Sequence, residues 1–122
     1  MVEFVDLNDK LKLIEQSWHP LIVGEANNQY IKIAKGEGTL EWHVHDNEDE
    51  VFLCLEGCLV IEMRDREVEL NPGQMFTVSK GVEHRPKAAP QASFLLFEPK
   101  STEHLGGLEG PATVSIKVQL KD

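Results

Sequence analysis

The chain has 122 residues, of which 41% are hydrophobic and 27% are charged, and its formal net charge is -9. This length suits one domain with its own core, and the composition excludes an intrinsically disordered chain. The acidic balance argues against nucleic acid or an anionic membrane surface as a partner, and no apolar run approaches the ~20 residues of a membrane helix. No basic segment followed by an apolar one opens the sequence, so we expect a cytoplasmic location.

Residues 1–18 are predicted to form an N-terminal arm that contains a short helix or helical turn. Leu7, Leu11 and Ile14 recur at helical spacing, and Asp6 before them is a residue type that caps helices well. A proline soon after this segment ends the helical pattern, because the residue before a proline is restricted to extended geometry.

Residues 19–100 have the pattern of a single β-rich domain. Short apolar or alternating runs are separated by Gly, Asn and Pro, which predicts roughly nine or ten strands in a sandwich or barrel. The predicted strands are 21–23, 30–33, 39–45, 50–55, 58–63, 67–70, 75–78, 83–87 and 92–98. Glu56-Gly57 predicts a hairpin turn between two of them. The tail, residues 101–122, adds a possible edge strand at 114–118.

The two cysteines, Cys54 and Cys58, are too few for a disulfide scaffold. They flank the predicted turn without being directly opposed, so we expect reduced thiols packed in the core. Cys54 has a second interpretation as a thiol that lines a pocket, because it shares a strand face with Glu50.

The segment from His43 to Glu50 carries the residue types of a metal site. On a strand, residues two apart point to the same face, so His43 and His45 would present two imidazoles side by side. Glu50 begins a strand with apolar partners on its face, and burying a carboxylate is costly unless it is paired or bound to a metal. His84 adds a third imidazole from another strand. Taken alone, the His-x-His pair fits scattered surface histidines better than a metal site.

Four other polar residues have simpler interpretations. Glu48 and Asp49 lie in the loop before the strand that Glu50 begins, and we expect them to be solvated. His19 precedes a proline and His104 lies in the tail, so both fit surface or capping roles.

The segment around the histidines resembles the first consensus motif of the cupin superfamily, G-x5-H-x-H-x3,4-E-x6-G. His43, His45, Glu50 and Gly57 match its last four fixed positions. Gly38 lies one residue closer to His43 than the motif requires, which affects only the incoming turn.

The later segment resembles the second cupin motif, G-x5-P-x-G-x2-H-x3-N. Gly73, Gly81 and His84 match it, whereas Ser79 stands in place of the proline and Ala88 in place of the asparagine. Neither replaced position is a metal ligand. The short stretch between the motifs resembles that of small microbial single-domain cupins.

The resemblance covers residues 38–88 and implies a jelly-roll β-barrel of two antiparallel sheets with a metal in its mouth. The implied ligands are His43, His45, Glu50 and His84. The implied ion is one divalent transition metal per chain, which is iron, manganese, nickel or zinc. Single-barrel cupins usually dimerise, and free strands at both ends of the chain favour edge pairing, so we expect a homodimer.

Open coordination positions on such a metal let it act on a small organic molecule in an apolar pocket. Each residue that we expect to line this pocket has an alternative role in the core. These residues are Trp42, Phe52, Cys54, Met63, Met75, Phe94 and Leu96.

Two functions fit this site. The first is a metal-dependent enzyme with dioxygenase- or isomerase-type chemistry, and the second is a non-catalytic module that binds a metal or a small ligand. The sequence Leu96-Phe97-Glu98-Pro99 resembles the last strand of small cupins of the mannose-6-phosphate-isomerase-like group, which is a weak indication of activity. Transcriptional regulation is disfavoured, because the sequence has neither a helix-turn-helix pattern nor a basic patch.

Overall fold

The computed structural model describes residues 4–107 and 114–119. The predicted N-terminal helix is confirmed as α1 (Leu7–Leu11), and Asp6 caps it by accepting a hydrogen bond from the Asn8 amide at 2.9 Å. The strands are β1 (Leu21–Ala26), β2 (Gln29–Thr39), β3 (Glu50–Met63), β4 (Glu67–Leu70), β5 (Met75–Val78) and β6 (His84–Pro99), followed by a 3₁₀ segment at His104–Gly107 and a helix, α2, at Ile116–Gln119.

The six strands form one antiparallel network in the order β1-β2-β6-β3-β4, with β5 also paired to β3. Three strands are long: β2, β3 and β6 have 11, 14 and 16 residues. Their pairing shifts register at bulges, one of which lies between Gly36 and Gly38 of β2. Because bulges bend strands and increase their twist, long strands of this kind can serve both halves of a barrel. The predicted fold class, an all-β jelly roll with a short N-terminal helix, is confirmed.

The predicted hairpin turn at Glu56-Gly57 is wrong, because Glu50–Met63 is one continuous strand. Buried residues alternate on both sides of Gly57, but Cys54 and Leu59 are both buried, so the alternation changes phase between them. The pairing of β3 with β6 shifts register just before and just after Gly57. These bulges absorb the extra residue, and the chain continues in the same direction instead of reversing.

The strand predicted at residues 39–45 is wrong beyond its first residue. The strand β2 ends at Thr39, and residues 40–49 are irregular apart from one isolated bridge. In that bridge the His43 amide donates to the His84 carbonyl at 3.0 Å, and the His84 amide donates to the His43 carbonyl at 2.9 Å. The bridge, rather than a regular strand, fixes the position of this segment.

The edge strand predicted at residues 114–118 is also wrong, because the chain there begins the short helix α2. The Ser115 hydroxyl accepts a hydrogen bond from the Val118 amide at 3.3 Å, as a residue at a helix N-terminus does. The buried Gln119 side chain donates to the Val114 carbonyl at 2.9 Å, which closes the turn. Within the described ranges, no helix is long and apolar enough to cross a membrane.

Two apolar clusters lie on opposite faces of the sheet. Ala34 belongs to the inner cluster and its neighbour Ile33 to the outer one, as expected for successive residues of a strand. The outer cluster covers β1 and β2 with Leu11 and Ile14 of the N-terminal segment. The inner cluster fills the barrel with Phe52, Cys54, Leu59, Ile61, Leu70, Val78, Ala88, Ala92, Phe94 and Leu96 beside Ala34.

Replacing Gly57 with alanine is expected to destabilise the protein by about 2 kcal/mol or more, measured by urea unfolding. Gly57 has φ +75°, and a Cβ there would clash with the Gln91 carbonyl oxygen. Gly73 is the matched control, because it has φ +87° but nothing within 4 Å of the added Cβ. Gly73→Ala should cost only the left-handed strain of about 1 kcal/mol. Equal costs for both variants would contradict the close approach at Gly57.

Candidate metal centre

Three histidines and one glutamate converge inside the barrel. His43, His45, Glu50 and His84 are all buried, and one potential ligand atom from each lies within 4.8 Å of the others. Glu50 opens β3 and His84 opens β6, while the other two follow the end of β2. The backbone bridge described above brings the His43 and His84 rings to a centroid separation of 4.4 Å.

Backbone carbonyls orient two of these imidazoles. His43 Nδ1 lies 2.9 Å from the Glu41 carbonyl oxygen, and His84 Nδ1 lies 2.9 Å from the Val82 carbonyl oxygen. Because a carbonyl can only accept, each Nδ1 carries the proton. The Nε2 lone pair is therefore left for a metal, which is the arrangement that proteins commonly use for histidine ligands.

Glu50 lies between the other two histidines. Its Oε1 is 3.3 Å from His84 Nε2 and 3.5 Å from His45 Nε2, separations that two ligands each about 2.1 Å from one ion would have. Both nitrogens of His45 are buried and lack a hydrogen-bond partner among the described residues. A metal ion would satisfy that orphaned imidazole, and three nitrogens with one carboxylate suit a divalent first-row transition metal.

The protonation states of the cluster favour metal binding. Burial, reinforced by the neighbouring His84, lowers the pKa of His43 to about 4. Burial alone would raise the pKa of Glu50, but the close approach of the His45 and His84 imidazoles outweighs burial and holds that pKa well below its usual range. At neutral pH His43 is therefore neutral and Glu50 is ionised, as metal ligands must be.

Known proteins share this domain. The model of the cupin domain family (Cupin_2) matches residues 29–98. The chain belongs to the cupin family. The cupin is 32% identical over 82 residues to the uncharacterised protein YdbB of Bacillus subtilis (strain 168). This alignment covers 66% of this chain and 73% of YdbB.

Two solved structures resemble this cupin closely. A cupin-2 domain containing protein from Shewanella frigidimarina is 40% identical, with a TM-score of 0.77 over 79% of this chain and 94% of that one. Protein NMB1881 from Neisseria meningitidis is 28% identical, with a TM-score of 0.73 over 80% and 100% of the two chains. These matches confirm the cupin resemblance but not the mannose-6-phosphate-isomerase-like subgroup.

A mainly apolar cavity lies beside the four ligands of this cupin, with an empty volume of about 430 Å³ when its open mouth is included. His43 and Glu50 form part of its wall. Three of the residues expected to line a pocket, Phe52, Phe94 and Leu96, line it as well. The other lining residues are Trp18, Pro20, Ala34, Leu40, Pro86, Glu98, His104 and Leu105.

Two residues expected in the pocket lie on the outside of the barrel instead. Trp42 contacts two guanidinium groups, with the Cζ atoms of Arg64 and Arg85 lying 3.8 and 4.8 Å from its ring centroid. It points away from the cavity because its neighbour His43 points into it. Met75 is 61% exposed at the start of β5, where Val78 is the residue that turns inward.

Cys54 and Met63 were also expected in the pocket, and neither lines the cavity. Cys54 is fully buried in the inner cluster, and its thiol donates to the Glu56 carbonyl at 3.5 Å. It lies on the same face as Phe52 but further along β3 from Glu50, so Phe52 separates it from the site. Met63 is buried at the far end of β3, where it pairs with His84 across the sheet. Both cysteines are free, with Cys54 buried and Cys58 half-buried.

A buried ion pair beside the cluster was not predicted. Lys32 Nζ lies 2.6 Å from Glu98 Oε1, and the two side chains are 1% and 3% exposed. The strand register explains the pair: Tyr30 faces Glu98 across β2 and β6, so Lys32 is a diagonal neighbour on the same face. On the other side, β3 pairs Val51 with Phe97, so Glu50 and Glu98 are the next residues along the two strands, and their side chains interact. One feature of the sequence indicated that Glu98 is buried: it lies two residues after the apolar Leu96 and therefore on the same face of the strand.

Besides Lys32, the Glu98 carboxyl group contacts the carboxyl group of Glu50. Its Oε2 is buried and accepts no hydrogen bond from any residue in the described part of the chain. Burial raises the pKa of Glu98 well above its usual range, and the Glu50 carboxylate raises it further, although Lys32 acts in the opposite direction.

His104, for which a surface or capping role was expected, lines the cavity. Its Nδ1 accepts a hydrogen bond from the Val114 amide at 2.9 Å, as a capping residue would, and the proton is therefore on Nε2. Burial, reinforced by the charge of Lys32, lowers the pKa of His104 to about 4. No local pattern indicated this role, because the tail reaches the cavity only through the tertiary fold.

Lowering the pH from 7 to 5 is expected to destabilise the metal-free cupin more than its His104→Gln variant. The pKa of His104 is about 4 in the folded chain, against an ordinary value of 6.5. Between pH 6.5 and pH 4 this imidazole is therefore protonated in the unfolded chain but not in the folded one, so the free energy of unfolding decreases as the pH falls. The expected difference is on the order of 1 kcal/mol after solvent screening. Urea unfolding at both pH values measures it, with His19→Gln as the matched control. An unchanged response in His104→Gln would contradict the prediction.

Proposed function

We propose that this cupin is a metal-dependent enzyme that acts on a small organic molecule in the cavity beside the four ligands. The observation that carries the proposal is that a complete set of buried metal ligands adjoins an apolar cavity, with His43 and Glu50 in its wall. A divalent metal held there would supply Lewis acidity or, when redox-active, one-electron chemistry. Dioxygenase- and isomerase-type reactions are the two classes that we propose.

The residues of the chain itself bind and orient the substrate. Phe52, Phe94 and Leu96 form apolar walls that exclude water, and this strengthens every electrostatic interaction at the site. The backbone-anchored imidazoles of His43 and His84 keep the ligand set rigid, so a bound molecule meets a preorganised site.

Oxygen consumption separates the two proposed chemistries. The cupin is loaded with Fe(II) without oxygen, and oxygen uptake is followed after small hydroxylated or aromatic compounds are added. Substrate-dependent uptake supports a dioxygenase, and product formation without uptake in the Mn or Zn form supports an isomerase, the class that the mannose-6-phosphate-isomerase-like resemblance favours. Ligand binding without turnover in all metal forms would contradict the enzyme proposal and favour a binding module.

The control variants lie two residues apart. Glu50→Ala should abolish turnover, because it removes the carboxylate ligand. Glu48→Ala should not, because the Glu48 side chain bonds outward to the Ser101 hydroxyl at 2.9 Å. Equal activities in these two variants would contradict the assignment of the site.

We also propose that the protein is a cytoplasmic homodimer. Light scattering at micromolar concentration tests its oligomeric state, and a monomer would contradict this part of the proposal.

A further inference from the structure

We propose that Trp18 is a specificity-determining residue of the cavity, and that its indole contacts the apolar end of a metal-bound ligand and limits the length of that ligand. This inference rests on the proposed function and adds a ligand class to it. The ligand has an oxygen-containing group that binds the metal and an apolar chain that extends along the cavity wall to Trp18.

The first observation is the origin of Trp18 outside the matched cupin domain. The family model matches residues 29–98, and most of the cavity wall comes from that range. Trp18 and Pro20 belong to the segment before β1 and line the same cavity. Trp18 has the largest side chain in the wall, so its position strongly affects the space that a ligand can occupy.

The second observation is a row of aromatic rings between Trp18 and the metal ligands. The ring centroids of Trp18 and Phe94 are 5.8 Å apart, and those of Phe94 and Phe52 are 6.1 Å apart. Phe52 in turn lies 6.2 Å from the ring of His84, which is one of the four ligands. The indole is thus at the end of this row that lies away from His84. A chain that starts at the metal passes the two phenylalanines before it meets Trp18.

The third observation is the set of contacts that fix the indole. The Trp18 amide donates to the Lys35 carbonyl at 2.7 Å, and the indole Nε1 donates to the Glu37 carbonyl at 3.1 Å. Between these two residues, Gly36 leaves room for the ring, because a Cβ at Gly36 would overlap three of the ring carbons. A side chain locked in this way forms a rigid wall, so it sets a defined limit for a ligand.

The fourth observation is the backbone conformation of Trp18. Its φ is +62°, in the left-handed region that bulky residues rarely adopt. Among the described residues, three other than glycine have a positive φ, and two of them, Trp18 and Leu105, line the cavity. The third is Asn27, a residue type that adopts this conformation readily in turns. Strained residues cluster at ligand sites, where the surrounding contacts hold them, so the conformation of Trp18 supports a role in the cavity.

The composition of the wall defines the ligand class. Its polar residues are His43, Glu50, Glu98 and His104, and the others are apolar. The part of a ligand that lies away from the metal is therefore apolar. A carboxylate supplies oxygen to a divalent metal and suits the other end. Each methylene that the wall buries should raise the affinity roughly fourfold, until the chain reaches Trp18.

The test measures how affinity depends on chain length. The cupin is loaded with Co(II), and acetate, butyrate, hexanoate and octanoate are titrated while the visible spectrum of the metal is followed. In the unaltered protein, the affinity should rise and then fall at the length at which the chain meets the indole. In Trp18→Ala the rise should continue, so that hexanoate or octanoate binds at least about tenfold more tightly than to the unaltered protein, whereas acetate binds equally. The same chain-length dependence in both proteins would overturn the inference.

Trp42→Ala is the matched control. Trp42 is the only other tryptophan of the sequence, and it lies outside the barrel against Arg64 and Arg85. This variant should keep the chain-length dependence of the unaltered protein. A shift as large as that of Trp18→Ala would show that loss of either indole loosens the fold, and would overturn the inference.

Gly36→Ala changes the same wall without removing the indole, and it decides the matter if Trp18→Ala does not fold. The added methyl group displaces the ring, so the chain-length dependence should change although Gly36 does not itself line the cavity. Gly24→Ala is its matched control, because a Cβ at Gly24 would make only ordinary contact with Ile31, at 3.6 Å. The inference fails if these two glycine variants show the same chain-length dependence.

Metal content, measured on each protein, keeps the two proposals apart. If the unaltered cupin retains no Co(II), the proposed function fails. If it retains Co(II) but neither it nor Trp18→Ala binds any of the carboxylates, only this inference fails. If Trp18→Ala folds but loses Co(II), Trp18 supports the metal site rather than a ligand, and the inference is overturned.

Discussion

Replacing His84 with alanine is expected to lower the affinity for a divalent transition metal by more than about 100-fold. Loss of a group that merely orients a ligand already costs roughly 10–100-fold, and His84 would be a ligand itself. Its side chain is fully buried, Val82 orients its ring, and its Nε2 lies 3.3 Å from Glu50. The other two histidines, His19 and His104, lie outside the four-ligand cluster. Elemental analysis after dialysis, with a chelator competition for the affinity, measures the effect.

Controls distinguish loss of the ligand from loss of the fold. His19→Ala removes a histidine that lies outside the four-ligand cluster and should leave the metal content unchanged. Glu50→Ala and His43→Ala should each behave like His84→Ala. Circular dichroism of the metal-free variants checks that the sheet persists. If His43→Ala and Glu50→Ala keep the metal content of the parent, the site has been assigned to the wrong residues.

The position of most strands could be predicted from alternation, but their connections could not. A Glu-Gly pair between two apolar runs favours a hairpin, yet Gly57 instead allows β3 to pass close to the Gln91 carbonyl. Both outcomes use the same conformational freedom of glycine, and only the pairing with β6 decides between them. The strand predicted in the tail is wrong for a similar reason. The apolar residues at 114–118 alternate as in a strand, but the Ser115 hydroxyl accepts a hydrogen bond from the Val118 amide and the Gln119 side chain donates one to the Val114 carbonyl, and both bonds favour a helical turn.

The four ligands were predictable because the residues that carry the chemistry also form a recognisable motif. Lys32 and Glu98 were not, because their meeting depends on the register of β2 against β6, which the sequence of neither strand specifies. Local alternation indicated that Glu98 shares a face with Phe94 and Leu96. It did not indicate that a lysine from a strand 60 or more positions away would reach the same face. The incorrect assignment of Trp42 has a local cause, since it is adjacent to a ligand and therefore points the other way.

Replacing Lys32 with methionine is expected to destabilise the protein by about 3–5 kcal/mol at neutral pH. The variant leaves Glu98 buried without its cation, and removing one partner of a buried pair strands the other charge. Glu98 can escape part of this cost by keeping its proton, because its pKa is already raised by burial and by Glu50. An acid whose pKa is higher in the folded state loses stability as the pH rises from its ordinary value toward the folded one. The deficit of Lys32→Met should therefore grow between pH 5 and pH 8.

A second substitution separates the stranded charge from the loss of packing. In the double variant Lys32→Met/Glu98→Leu no charge is left unpaired, and apolar replacements of buried pairs are often neutral or stabilising, so most of the stability should return. Lys87→Met is the matched surface control, because Lys87 pairs with Glu67 and Glu62 at the barrel exterior and should cost less than about 1 kcal/mol. Urea unfolding of all four proteins at both pH values measures these effects. A double variant as unstable as Lys32→Met would show that Lys32 contributes through packing, and that Glu98 is not a buried charge in need of a partner.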